Sequence, residues 1–383
     1  MTRVTEPTIG GSPSSGKPVV PKTTGGLCVT SSADVEPPKV ALVTGASRFL
    51  GGYLVTRLAQ NPAIDRVIAV DTQSPTKDML RRMGRAEFVL ADIRNPLIGK
   101  VIRNMDVDTV VHASTVTKAP KSGSRTAMKD MNVLGAMQLF AVCQKAPSVR
   151  RVVLRSSSAV YGSSAKDPAK FTEEMSARRR PTGAFARDMI EIEGYLRGLA
   201  RRRSDISTTT LRLAPTVGNR LPGSVSAYLT SPLVPTVLGR DARLQLLHEE
   251  DALSALERAT MAGPPGAVNV AGDGIVMMSQ AVRRAGGLAV PMPYGLFRTA
   301  GHALMGSVMK SFTKEELDYF HFGCGLDTTR MRAELGFEPR WTTKDALDDF
   351  ARSIRLSRIV KTEWVDRAES MVLSALGERT EAR

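Results

Sequence analysis

The chain has 383 residues, of which 42% are hydrophobic and 5% aromatic, and a formal net charge of +15. That apolar content suffices for one large core or two smaller ones, and no run approaches the roughly 18 apolar residues of a membrane span. No hydrophobic core adjoins the N-terminal charges either, so no secretory signal is readable and a cytoplasmic protein is expected.

Residues 1–38 are dominated by Gly, Ser, Thr and Pro, show no apolar period and close on Pro37-Pro38. Such a segment cannot bury enough apolar surface to offset its ordering entropy, so a disordered tail is expected. Lys39 to Gly52 then reads as a short apolar strand, a glycine-bearing turn and the start of a helix. Small residues at such a turn let the backbone approach a pyrophosphate, and the helix N-terminus offers it free N–H groups and a partial positive charge. Gly45 and Gly51 fill two of the positions this design needs, with Ser47, Phe49 and Leu50 as further candidate contacts. Arg48 stands midway, where dinucleotide turns usually have another glycine. It either folds outward and pairs with the pyrophosphate or occupies part of the cofactor's space. A second apolar run, Arg66 to Asp71, ends on a carboxylate that can accept hydrogen bonds from both ribose hydroxyls and would repel a 2′-phosphate. That favours NAD over NADP.

Apolar runs at Val40–Val43, Val67–Val70, Phe88–Leu90, Val107–His112, Val152–Leu154 and Thr208–Leu213 alternate with helical patterns. The helices show in the spacing of Leu50, Leu54 and Leu58, of Met131, Leu134, Leu139 and Val142, and of Ile190, Ile192, Tyr195, Leu196 and Leu199. Alternation of this kind predicts an α/β fold, a doubly wound parallel sheet with helices on both faces, which Ala267–Val270 extends. We expect a dinucleotide-binding domain over 39–215, completed by about 243–270. A smaller domain would use 216–242 and 271–353, with a helical tail over 354–383. Ligands of such sheets bind at the carboxyl ends of the strands, where Ser114–Lys118 and Ser156–Gly162 begin. Between Gly295 and Phe312, Leu296, Phe297, Ala300, Leu304, Met305, Val308, Met309 and Phe312 share one helical face, with Arg298, His302 and Lys310 off it. This helix either packs against the smaller domain, lids an apolar substrate or rests peripherally on an anionic membrane surface.

Cys28, Cys143 and Cys324 lie far apart without metal-ligand spacing, which predicts free or buried thiols and no metal site. The positive charge concentrates at Arg150-Arg151, Arg178 to Arg180 and Arg201 to Arg203. No zinc-finger spacing, aromatic-basic RNA motif or helix-turn-helix signature accompanies these clusters, so they read as solvated helix ends and nucleic acid is not an expected partner.

The set Thr44-Gly45…Gly51, Asp71, Ala91-Asp92-Ile93, His112-Ala113-Ser114, Asn132-Val133-Leu134-Gly135, Ser156 to Gly162, Leu211-Arg212…Gly218, His248 to Asp251 and Leu335 to Pro339 resembles the extended short-chain dehydrogenase/reductase superfamily. The likeness is to nucleotide-sugar epimerases and dehydratases of the UDP-glucose 4-epimerase kind, over about Lys39 to Phe350. It implies a Rossmann domain with a smaller substrate-binding domain, NAD as cofactor, a nucleotide sugar or another anionic small molecule as ligand, and a homodimer. It places Asp92 near the adenine, with Ile93, His112, Ala113 and Ser114 along the cofactor cleft. Asn132 falls in the catalytic region, and Ser157 supplies the hydroxyl that bonds the reacting sugar oxygen.

Two departures bear on chemistry. The family's Tyr-x-x-x-Lys pair, whose tyrosinate removes the hydroxyl proton during hydride transfer, falls on Phe185-Ala186-Arg187-Asp188-Met189. None of the six tyrosines has a lysine four residues later. Asp188, three residues from Phe185 on the same helical face, is either a carboxylate base in the phenolate's place or a first-turn acid favoured by the helix dipole. The second departure is Pro215, where the family often has an asparagine on the nucleotide-sugar phosphates. Two functional readings stand: an epimerase or dehydratase with rebuilt proton transfer, or a non-catalytic binder of NAD or a nucleotide sugar that acts as a sensor or scaffold.

Overall fold

The computed structural model describes residues 36–116, 125–221, 223–297 and 312–354. The expected N-terminal tail up to residue 35, residues 298–311 of the expected 295–312 helix and the C-terminal tail from residue 355 therefore lie outside the described residues.

The strands are β1 (Val40–Thr44), β2 (Arg66–Asp71), β3 (Glu87–Leu90), β4 (Thr109–His112), β5 (Arg151–Ser157), β6 (Ser207–Leu213), β7 (Thr216–Val217), β8 (Leu233–Val237), β9 (Arg243–Leu244), β10 (Leu247–His248) and β11 (Gly266–Val270). Seven of them form one sheet in the order β11-β6-β5-β4-β1-β2-β3, and every pairing in it is parallel. Parallel strands covered on both faces read as near-continuous apolar runs, which is why β1, β2 and β4 were visible in the sequence. β6 is wholly buried although it opens Ser-Thr-Thr-Thr. Its hydroxyls find backbone acceptors, as Thr209 does on the Pro264 carbonyl at 2.7 Å.

Helices α1 (Phe49–Gln60), α2 (Lys77–Arg82), α3 (Ile98–Asn104), α4 (Arg125–Lys129), α5 (Gly135–Lys145), α6 (Ala184–Arg202), α7 (Ser224–Leu229) and α8 (Glu249–Ala262) follow in chain order. α1 packs beside α8, and α5 beside α6 and α3. Between α4 and α5 the chain makes one π-helical turn, Asp130–Leu134. The wider turn rotates the register, burying Asn132 and Val133 and leaving Leu134, expected on the inner face, 44% exposed.

One apolar cluster surrounds the sheet. A second gathers Val217, Tyr228, Val234, Leu244 and Val276 with Phe320 and Leu347. Tyr228 stacks on Phe320 there with ring centroids 3.9 Å apart. Cys324, Leu326, Met331, Leu335 and Phe337 pack into the sheet's cluster instead, because Phe171 and Leu326 form a parallel bridge there. Cys143 and Cys324 are buried free thiols. Among the described residues no helix is long and apolar enough to cross a membrane, and no group of three metal-ligating side chains gathers.

Candidate functional site

The strand order reverses between β1 and β4, and the dinucleotide turn lies at their carboxyl ends. Gly45 has φ +78°, and a Cβ there would stand 2.9 Å from the Cα of Ser114. A Cβ on Gly51 would stand 2.1 Å from the Gly45 carbonyl oxygen. Both glycines are therefore steric requirements, the first for a left-handed turn against the β4 loop and the second for seating α1 on that turn. Arg48, extended at φ −95° and ψ 159°, precedes α1 without a side-chain cap, and the helix has no acid in its first turn. Its first N–H groups are thus left for an external anion, as a pyrophosphate cradle requires. The Arg48 side chain is exposed and makes no ion pair among the described residues.

Asp71 ends β2 facing this turn. One carboxylate oxygen accepts from the Ser47 amide at 2.9 Å and from its hydroxyl, and the other accepts from the Thr72 amide at 2.7 Å. Ser47 and Asp71 thus form one hydrogen-bonded unit beside the turn. Asp92 is gripped by Arg94, whose Nη2 lies 2.6 Å from Oδ2, and this hydrogen bonding holds the carboxyl below its usual range. Ile93 turns into the core, where a Cβ on Gly135 would stand 2.9 Å from its Cδ1, so it is a packing residue. His112 is also interior: its Nδ1 meets the Thr44 hydroxyl at 2.9 Å, and burial pushes the ring down to about 4. Ala113 is buried beside it, while Ser114 lies directly under Gly45.

Ser157 closes β5, and its hydroxyl accepts from the Ala159 amide at 3.2 Å, capping the short helical turn Ser158–Tyr161. Ser156, on the opposite face of the strand, donates to Glu193 of α6 at 2.6 Å. Glu193 pairs with Arg212 of β6 at 2.8 Å, Arg212 donates to the Tyr161 hydroxyl at 2.8 Å, and Tyr161 donates to Asn269 of β11 at 2.8 Å. Burial pushes the Tyr161 phenol up to about 12, so it is a neutral strut. This network ties the segment carrying Ser157 to α6, β6 and β11 at once.

Asn132 is fully buried by the π turn. Its Oδ1 accepts from the Val116 amide at 2.8 Å, and its Nδ2 donates to the Val116 carbonyl at 2.9 Å and to Asp188 at 3.1 Å. Asp188 is 1% exposed, and Arg125 donates to its two oxygens at 2.6 and 3.0 Å. A general base needs an oxygen free to reach the substrate's proton, so the carboxylate weighed above as a base is instead an anchor for Arg125 and Asn132. Met189 is wholly buried and Phe185 packs at the edge of the core.

Two cations at the site belong to no motif in the sequence. Arg125 is one. The other is Arg155, two residues before Ser157, whose Nη1 donates to the Thr115 hydroxyl at 2.5 Å and the Ala113 carbonyl at 3.3 Å. Burial pushes it down to about 10 and Arg48 adds in the same direction, so it stays charged at neutral pH. An arginine directly after the apolar run Val152 to Leu154 was the available signal, since a charge in a sheet interior needs a stated purpose.

A parallel sheet wound on both faces, with an uncapped helix N-terminus at its switch point, defines a Rossmann-type dinucleotide-binding protein. The chain belongs to the NAD dependent epimerase/dehydratase family, whose model matches residues 41–271. NAD, the cofactor expected from Asp71, is the one that family's description carries. An uncharacterized protein of Mycobacterium tuberculosis is 58% identical over 341 residues, covering 86% of this chain and 89% of its own. A putative UDP-glucose 4-epimerase of Methanocaldococcus jannaschii is 31% identical over 122 residues, 32% of this chain and 39% of its own. Among solved structures, the UDP-glucose 4-epimerase of Thermotoga maritima with UDP-glucose superposes with a TM-score of 0.64 at 19% identity, over 83% of this chain and 99% of that one. A dTDP-glucose 4,6-dehydratase from Bacillus anthracis in complex with NAD superposes with a TM-score of 0.62 at 18% identity, over 82% and 96%.

Proposed function

We propose that this protein binds NAD at the β1–α1 turn and a nucleotide sugar beside Ser157, and that it works without the family's tyrosinate base. The observation that carries this reading is a contrast. The binding elements are kept: Gly45, Gly51, the Ser47–Asp71 unit, the bare α1 N-terminus and a Ser157 held by a rigid network. The proton-transfer pair is replaced by Phe185 and by Met189, which is wholly buried.

The phosphates of the dinucleotide would lie on the α1 N–H groups with Arg48 at hand, and its ribose hydroxyls against Asp71. NAD bound there supplies a hydride acceptor. Ser157 can hydrogen-bond a sugar hydroxyl, yet no described side chain beside it is placed to take the proton, since Phe185 cannot ionise and Asp188 is spent on Arg125. The nucleotide sugar is supported by the family and by relatives named as acting on or holding UDP- and dTDP-sugars.

The test is turnover of a panel including UDP-glucose and UDP-galactose with added NAD, read by mass spectrometry, for the native chain and a Phe185→Tyr/Met189→Lys double variant. We expect binding without turnover in the native chain and turnover only in the double variant. Native turnover lost on Ser157→Ala would overturn the reading in favour of an enzyme with a substitute base.

A further inference from the structure

A dinucleotide laid across a switch point spreads its two halves over opposite halves of the sheet. Asp71, at the end of β2, marks the adenosine side, so the nicotinamide half lies over β4 and β5. Side chains alternate along a strand. Ser156 points to α6, so Arg155 points to the face that carries α1, and its guanidinium crosses the end of β4 to Thr115 and Ala113.

Both of those acceptors are neutral. Among the described residues no carboxylate pairs with Arg155, and the charged neighbour that acts on it is another cation, Arg48. Arg155 is therefore a cation at the carboxyl end of β5 that no carboxylate among the described residues balances.

Resting on the proposed NAD site, we infer that Arg155 is a specificity residue that makes the cleft select the reduced cofactor, NADH, over NAD. The two forms share every phosphate and hydroxyl and differ at one ring, which is cationic when oxidised and neutral when reduced. A guanidinium fixed beside that ring would repel the first and not the second, and at the effective dielectric of a protein cleft such a repulsion corresponds to about tenfold or more in affinity. With no proton-transfer pair to consume it, the bound cofactor would report the reduced-to-oxidised ratio around the protein.

The experiment is calorimetric titration of the full chain with NADH, NAD and ADP-ribose, for the native protein and for Arg155→Met and Arg155→Lys. We expect NADH to bind about tenfold or more tightly than NAD, the preference to vanish in Arg155→Met and persist in Arg155→Lys, and ADP-ribose affinity to be unchanged. Equal NADH and NAD affinities in the native chain would overturn the inference even if Arg155→Met fails to fold, as would a preference that survives that substitution. Failure of all three ligands to bind the native chain would instead sink the NAD site itself.

Discussion

Asp188 shows how one side chain changes meaning once its partners are known. On the sequence it is an acid near the start of a helix; in the fold it is the hub joining Arg125, Asn132 and, through Asn132, the Val116 backbone. Removing one partner of a buried ion pair strands the other, and Arg125 is half exposed, so solvent recovers part of the loss. Asp188→Asn should cost about 1–3 kcal/mol in urea unfolding and leave NADH affinity unchanged. A large drop in turnover at unchanged stability would restore it as a base.

His112 gives a pH dependence. In the folded protein the ring stays neutral down to about 4, whereas in the unfolded chain it takes a proton near 6.5. The unfolded state therefore binds more protons as the pH falls. The stability contributed by keeping the ring neutral is complete above 6.5 and declines from 6.5 toward 4, by at most about 3 kcal/mol. Urea midpoints at pH 7.5 and pH 5 should diverge more for the native chain than for His112→Gln; equal divergence would mean the ring is protonated in the folded state.

At the scale of the element, the π turn makes a testable assignment. A regular helix through Met131 to Val142 would bury Leu134 with Leu139, whereas the observed turn exposes Leu134 and leaves Leu139 fully buried. Leu139→Ala should cost about 2–5 kcal/mol and Leu134→Ala less than about 0.5 kcal/mol, measured by chemical denaturation. Similar costs would mean the helix is regular. The same turn brings Asn132 inward to Val116, so the distortion has an identifiable beneficiary.

The α1 element was legible for a simple reason: its demands are local. Gly45 needs a left-handed backbone and room against Ser114, and Gly51 needs room against Gly45 itself. Gly51→Ala should therefore weaken NADH binding and lower the melting temperature together, because the added methyl group pushes α1 off its turn. An effect on neither would show that the turn is not the cofactor cradle.

At the scale of the whole molecule, the parallel sheet could be read in advance because β1, β2 and β4 write their burial into runs of apolar residues. Right-handed crossover connections fix the face on which each helix lies, and the observed strand order sets the switch point. What could not be read is the set of partners drawn from distant parts of the chain. Arg125 and Asp188 are 63 residues apart, and Arg151 reaches the carbonyl of Thr260, 109 residues away. If the cleft is as assigned, NADH at one hundred times its dissociation constant should stabilise the chain by about 2.7 kcal/mol; no thermal shift at any concentration would remove the cofactor from the account.

The sequence by itself determined the alternation of strands and helices, the glycine turn between β1 and α1 and the absence of a tyrosine with a lysine four residues on, because each is a matter of residue type at short spacing. Only the tertiary structure decided that Asp188 is an anchor, that His112 and Ile93 serve the core, and that Arg155 lies at the carboxyl end of the sheet with no carboxylate partner among the described residues. Those outcomes depend on which groups meet, and a charge acts as a base, a strut or a bare field according to the partners that folding brings within hydrogen-bond distance.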